Sequence, residues 1–132
     1  MPETPDPSTG CVLVVDDNAL VRMLGADALE DAGYAVIEAA NADEALEILR
    51  GARAVRLLFT DVDMPGSMNG LELADLVHRR WPEIRLLVTS GHHLLADADV
   101  PDACRFVAKP YSQVTVIAEV AALLAEPHCA PG

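Results

Sequence analysis

Five short apolar runs of strand type alternate with amphipathic helical segments, and this alternation constrains the fold more than any other feature of the chain. The runs lie at about 11–16, 34–39, 55–60, 84–89 and 105–109. Between them the apolar spacing turns helical, predicting helices over about 18–31, 41–51, 70–81 and 112–125. The first helix should present Leu20, Val21, Leu24 and Ala28 on one face and stop at Gly33. Asn41 reads as an N-cap, with Glu44 at capping-box spacing. Arg79 and Arg80 suit the C-terminal dipole of the third helix. The stretch Gly91 to Ala103 carries the weakest pattern. Leu94, Leu95 and Ala98 predict at most a short or mobile helix before Pro101. Strands that alternate with helices pair in parallel, with right-handed crossovers and helices on both faces.

The expected fold is therefore α/β, a doubly wound five-stranded parallel sheet of flavodoxin-like order 2-1-3-4-5. Such sheets bind ligands beyond the carboxyl ends of their strands, where the strand order reverses. For this order that point lies between the first and third strands. The strand ends carry the chemistry. Asp16 and Asp17 close the first run, Asp61 the third, Thr89 the fourth and Lys109 the fifth, followed at once by Pro110. Three carboxylates gathered at one rim repel one another and need a compensating cation. Mg²⁺ suits them, being hard and oxygen-seeking, and it leaves positions for phosphate oxygens. Lys109 adds a positive charge and Thr89 a hydroxyl for a phosphoryl group. A carboxylate such as Asp61 can itself act as the nucleophile and form an aspartyl phosphate.

Length and charge narrow the partners. At 132 residues the chain makes one domain. Residues 1–10, rich in Pro, Ser and Thr, read as a disordered tail, 11–125 as the domain and 126–132 as a C-terminal tail, with no output domain. Nine Lys and Arg stand against 21 Asp and Glu, a net charge of −12. Such a chain repels nucleic acid and anionic lipid, and the clusters Arg79-Arg80 and Arg50/Arg53/Arg56 are too short to reverse that. No apolar stretch approaches the roughly 18 residues of a membrane span. Three cysteines without C-x-x-C spacing, and no export signal, predict reduced thiols and a cytoplasmic protein.

Taken together, Asp16-Asp17, Asp61 with Met64-Pro65, Asn69-Gly70, Thr89 and Lys109-Pro110 resemble the receiver domain of two-component response regulators. The resemblance runs from about Cys11 to Ala125. It implies that Asp61 is the phosphoacceptor, and that Asp17, Asp61 and the backbone carbonyl of Asp63 bind Mg²⁺ directly while Asp16 acts through water. It implies that Lys109 and Thr89 hold the phosphoryl oxygens and that Phe106 is the switch aromatic. It further implies a sensor histidine kinase or phosphotransfer protein as donor, a downstream protein as receiver of the signal, and no enzymatic turnover beyond self-phosphorylation and autodephosphorylation. Without an output domain, a stand-alone regulator or phosphate relay is expected. The chain departs from the family pattern in one extra residue between Asp61 and Gly70, in Ser90 after Thr89, and in about two residues fewer between Thr89 and Phe106.

Other readings have weaker residues behind them. The shortened stretch before Phe106 would suit a constitutive adaptor that needs no phosphorylation. Asp61-Val62-Asp63 evokes a DxD phosphatase, but that family carries its motif on the first strand and needs a cap. His92-His93 read as solvated loop residues, Trp81 as helix-end packing, and Cys104 as core or near-core. The last helix has Glu119 as its one charge. Val116, Ile117, Val120 and Leu124 should face the sheet, leaving Val114, Ala118, Ala121 and Ala125 as a second apolar strip. That strip predicts a protein contact, including a homodimer through this helix.

Overall fold

Parallel pairing organises the whole molecule. The computed structural model describes residues 11–51, 55–62, 68–90, 104–108 and 112–125. In chain order the elements are β1 (Cys11–Val15), α1 (Ala19–Asp31), β2 (Ala35–Ala39), α2 (Ala42–Arg50), β3 (Val55–Asp61), α3 (Gly70–Arg80), β4 (Arg85–Ser90), β5 (Cys104–Ala108) and α4 (Gln113–Ala125). The sheet order is β2-β1-β3-β4-β5, with every pair parallel. This is the expected doubly wound topology. The terminal tails, the weak segment 91–103 with His92-His93, and Asp63, Lys109 and Pro110 lie outside the described residues, as does the side chain of Cys104.

The central strands are covered on both faces, which is why they read as continuous apolar runs and not as alternating ones. Leu13, Val15, Leu58, Leu86 and Val88 face α2 and α3, meeting Ala45, Leu46, Leu73 and Val77. Val12, Val14, Leu57, Phe59 and Leu87 face α1 and α4, meeting Leu29, Val116, Val120 and Leu123. Trp81 caps the end of α3 and packs against the first of these layers. A register shift between β1 and β3 at Cys11/Val12 leaves Arg56 exposed between buried Val55 and Leu57. Among the described residues no helix is long and apolar enough to cross a membrane.

Helix ends follow local side-chain chemistry. Asn18 caps α1 by accepting the amides of Leu20 and Val21. The helix closes in a Schellman turn, Tyr34 N–H to Leu29 carbonyl and Gly33 N–H to Glu30 carbonyl, with Gly33 at φ 103°. Asn69 and Glu72 form a reciprocal capping box on α3. At α2, Asn41 accepts the Glu44 amide, but the Glu44 carboxylate reaches the Ala40 amide, one residue further back than a standard box.

The expected face of α1 is turned, whereas that of α4 is kept with Leu123 added to it. In α1, Leu20 and Leu24 are exposed, and the buried residues are Gly25, Ala26, Ala28 and Leu29. The reason is close packing. A Cβ on Gly25 would stand in ordinary contact, 3.8 Å from the Phe59 ring, so the helix lies close to the sheet there; with Leu29 turned into the core, Leu20 and Leu24 fall to the flank. In α4, Leu123 joins Val116 and Val120 in the core, while Ile117 and Leu124 are only partly buried. Val114, Ala118 and Ala121 are exposed, as the second strip requires.

Candidate metal centre

The carboxyl ends of β1 and β3 bring three acidic side chains together. Oxygen atoms of Asp16, Asp17 and Asp61 all lie within 4.8 Å of one another. Asp16 and Asp61 are buried, each 3% exposed, whereas Asp17 is open to solvent. Their placement follows from the sheet. β1 pairs with β3 so that Val15 is opposite Thr60, which sets the residue after each partner on the same rim. Two buried carboxylates and a third beside them form a hard oxygen donor set, which fits a hard divalent cation such as Mg²⁺ better than metals that prefer nitrogen or sulfur ligands.

Thr89 completes the rim from β4. Its backbone pairs with Asp61 on one side and Val107 on the other. Its side chain is 1% exposed, and among the described residues its Oγ1 has no hydrogen-bond partner. A buried hydroxyl left unpaired costs about 1–3 kcal/mol, so such a group invites an explanation in function. Thr89 lines one shallow cleft with Asp16, Asp61, Arg22, Val21 and Phe59.

The backbone around Asp61 is held tightly. Val62 N–H donates to the Thr89 carbonyl at 2.8 Å, and Gly70 N–H donates to the Val62 carbonyl at 3.1 Å. Gly70 lies directly against the end of β3. A Cβ there would collide with the Asp61 carbonyl oxygen and come within 2.7 Å of its carbon and 2.8 Å of Val62 Cα. Only glycine lets α3 begin so close to Asp61. Phe106, on β5 beside Val88, is half-buried and packs against the layer that contains α2 and α3.

Of the expected site residues, Asp16, Asp17, Asp61 and Thr89 meet at one rim. Asp63 and Lys109 lie outside the described residues. Sequence reasoning passed over Arg22. Its Nη1 donates to the Asp16 carbonyl at 2.8 Å and its Nε to Glu38 Oε1 at 3.1 Å. Its place on the second turn of α1, five residues after Asp17, is the one signal that could have pointed to it.

Comparison with known proteins agrees with this geometry. Residues 12–121 match the response regulator receiver domain. The chain is 37% identical over 114 residues to the nitrogen assimilation regulatory protein NtrX of Azorhizobium caulinodans, covering 82% of this chain and 25% of that protein. It thus spans about a quarter of that relative's length. It is 33% identical over 116 residues to the response regulator receiver protein CpdR of Brucella abortus, covering 86% of this chain and 94% of CpdR. The crystal structure of the NtrX receiver domain from Brucella abortus superposes with a TM-score of 0.80 at 32% identity, covering 88% of this chain and 99% of that one. With the acidic rim, the sheet order and a family match over most of its length, the chain belongs to the response regulator receiver domain family.

Proposed function

We propose that the protein is a phosphoacceptor of a two-component system, taking a phosphoryl group onto Asp61 from the phosphohistidine of a sensor histidine kinase or phosphotransfer protein. The observation that carries this reading is the convergence of three carboxylates at one strand rim with a buried threonine hydroxyl that has no partner among the described residues. In the transfer, a carboxylate oxygen of Asp61 attacks phosphorus in line. The bond from phosphorus to the imidazole nitrogen breaks, leaving neutral imidazole on the donor after protonation and an aspartyl phosphate here. Thr89 donates its hydroxyl to a phosphoryl oxygen. Lys109, the next residue after β5, pairs with another. Asp17, Asp61 and the Asp63 carbonyl would hold Mg²⁺, with Asp16 acting through water, and the ion would neutralise charge on the carboxylates and the phosphoryl oxygens.

Water later attacks the acyl phosphate, restoring the Asp61 carboxylate and releasing inorganic phosphate. The chain thus performs chemistry on itself and turns over no external substrate. Pulling Thr89 towards the phosphoryl group draws on the segment beside Phe106, whose repacking would carry the change to a partner surface. That partner is a protein. The exposed face of α4, with Val114, Ala118 and Ala121, is the surface we assign to a downstream protein or a second copy of the chain. A cytoplasmic location belongs to the same reading and rests on cysteines without paired or metal-binding spacing.

Intact-mass analysis after incubation with Mg²⁺ and a small acyl-phosphate donor tests the proposal. The expected result is one added phosphoryl mass, lost without Mg²⁺ and lost in Asp61→Asn. A folded protein that takes up no phosphoryl group under these conditions would refute it and leave the adaptor reading standing.

A further inference from the structure

Arg22 makes two hydrogen bonds that point in different directions. One goes to the Asp16 carbonyl at 2.8 Å, the other across the sheet edge to Glu38 on β2 at 3.1 Å. That carbonyl belongs to the peptide joining Asp16 to Asp17. The tilt of this peptide sets the direction in which the Asp17 side chain leaves the backbone. Asp17 is exposed, so packing does little to aim it. The neighbouring groups are held as well. Asp16 N–H donates to the Ala39 carbonyl at 3.2 Å, and Asp16 Oδ1 accepts the Asn18 amide at 2.9 Å. The arginine adds a hold on the carbonyl of the same residue.

We infer that Arg22 is a positioning residue for the metal centre: by tying the Asp16–Asp17 peptide to Glu38, it holds the Asp17 carboxylate towards Asp16 and Asp61. The inference rests on the reading of these carboxylates as a Mg²⁺ site. The guanidinium lines the cleft with Asp16 and Asp61, yet its bonds run to a carbonyl and to a carboxylate outside the cluster. Its side chain is 19% exposed, so it is well packed in this position.

Charge and positioning predict opposite signs. Deleting a cation beside three carboxylates strengthens Mg²⁺ binding by simple Coulomb attraction. Loosening the peptide that aims one ligand weakens it, typically by 10-fold or more. The test is calorimetric titration of the full chain with Mg²⁺, beside the NMR order parameter of the Asp17 amide in the metal-free protein. Arg22→Ala is expected to weaken Mg²⁺ binding about 10-fold and to lower that order parameter. Glu38→Gln and Glu38→Ala remove the same charge and differ in whether an acceptor for Nε remains. Glu38→Ala should bind Mg²⁺ more weakly than Glu38→Gln, and this pair carries the test if Arg22→Ala fails to fold. Unchanged or tighter Mg²⁺ binding by folded Arg22→Ala, or equal affinity in the two Glu38 variants, overturns the inference and leaves the metal site intact. A wild-type chain that binds no Mg²⁺ overturns the metal reading itself, and this inference with it.

Discussion

Thr89 carries a desolvated hydroxyl at the strand rim. It is buried, and among the described residues its Oγ1 has no partner. Replacing it by valine keeps the shape and removes the desolvated oxygen. Thr89→Val should therefore stabilise the unphosphorylated protein by about 1 kcal/mol while weakening phosphoryl uptake. Denaturant midpoints and intact-mass time courses check the two halves, and a less stable Thr89→Val would argue against a strained hydroxyl. Gly70 is constrained by space. Its missing Cβ would stand 2.7 Å from the Asp61 carbonyl carbon, and the nearest atoms are all backbone of Asp61 and Val62, with no flexible side chain among them to yield. Gly70→Ala should cost about 1–3 kcal/mol through forced backbone shifts. Displacement of Asp61 by about 1 Å should also slow phosphorylation by roughly 100-fold. A normal phosphorylation rate in this variant would show that the strand end adapts.

At the scale of elements, the helix starts were the most legible features and the helix faces the least. The sequence singled out Asn41 with Glu44 and passed over Asn69 with Glu72, although the hydrogen bonds of that second pair close within one turn and need no neighbour to be read. Asn69→Ala should destabilise the protein by about 1 kcal/mol through loss of that cap. Because α3 begins against Asp61, the same variant should also slow phosphoryl uptake, which separates it from a cap far from the site. The face of α1 could not be read this way. Leu20 and Leu24 have helical spacing and suit a core, yet Gly25 and Ala28 are what the sheet accepts. Which stripe is buried depends on the room above Phe59, and that room is a property of β3 and α1 together.

For the molecule as a whole, the two faces of the sheet divide the labour. One face is sealed by α2 and α3; the other is shared by α1 and α4. The outer strip of α4 is apolar and exposed, with Val114 76% exposed. A charge placed there disturbs no core residue. Ala121→Glu should change stability by less than about 0.5 kcal/mol. It should also weaken self-association or partner binding through the proposed surface. Analytical ultracentrifugation of the phosphorylated and unphosphorylated chain would detect the change, and identical sedimentation of both proteins would remove this face from the proposal.

The sequence alone determined the alternation of strands and helices, the parallel sheet, and the acidic ends of β1 and β3. Each of these depends on local pattern plus a general rule of chain connection: buried parallel strands are apolar throughout, and polar residues mark where they leave the core. Only the tertiary structure decided how those ends are held. The clamp of Arg22 on the Asp16 carbonyl and the contact of Gly70 with Asp61 join residues from different elements, and the burial of the Thr89 hydroxyl, which has no partner among the described residues, is likewise set by neighbours in space. Their distances are fixed by the packing of the sheet against its helices, and no spacing along the chain encodes them.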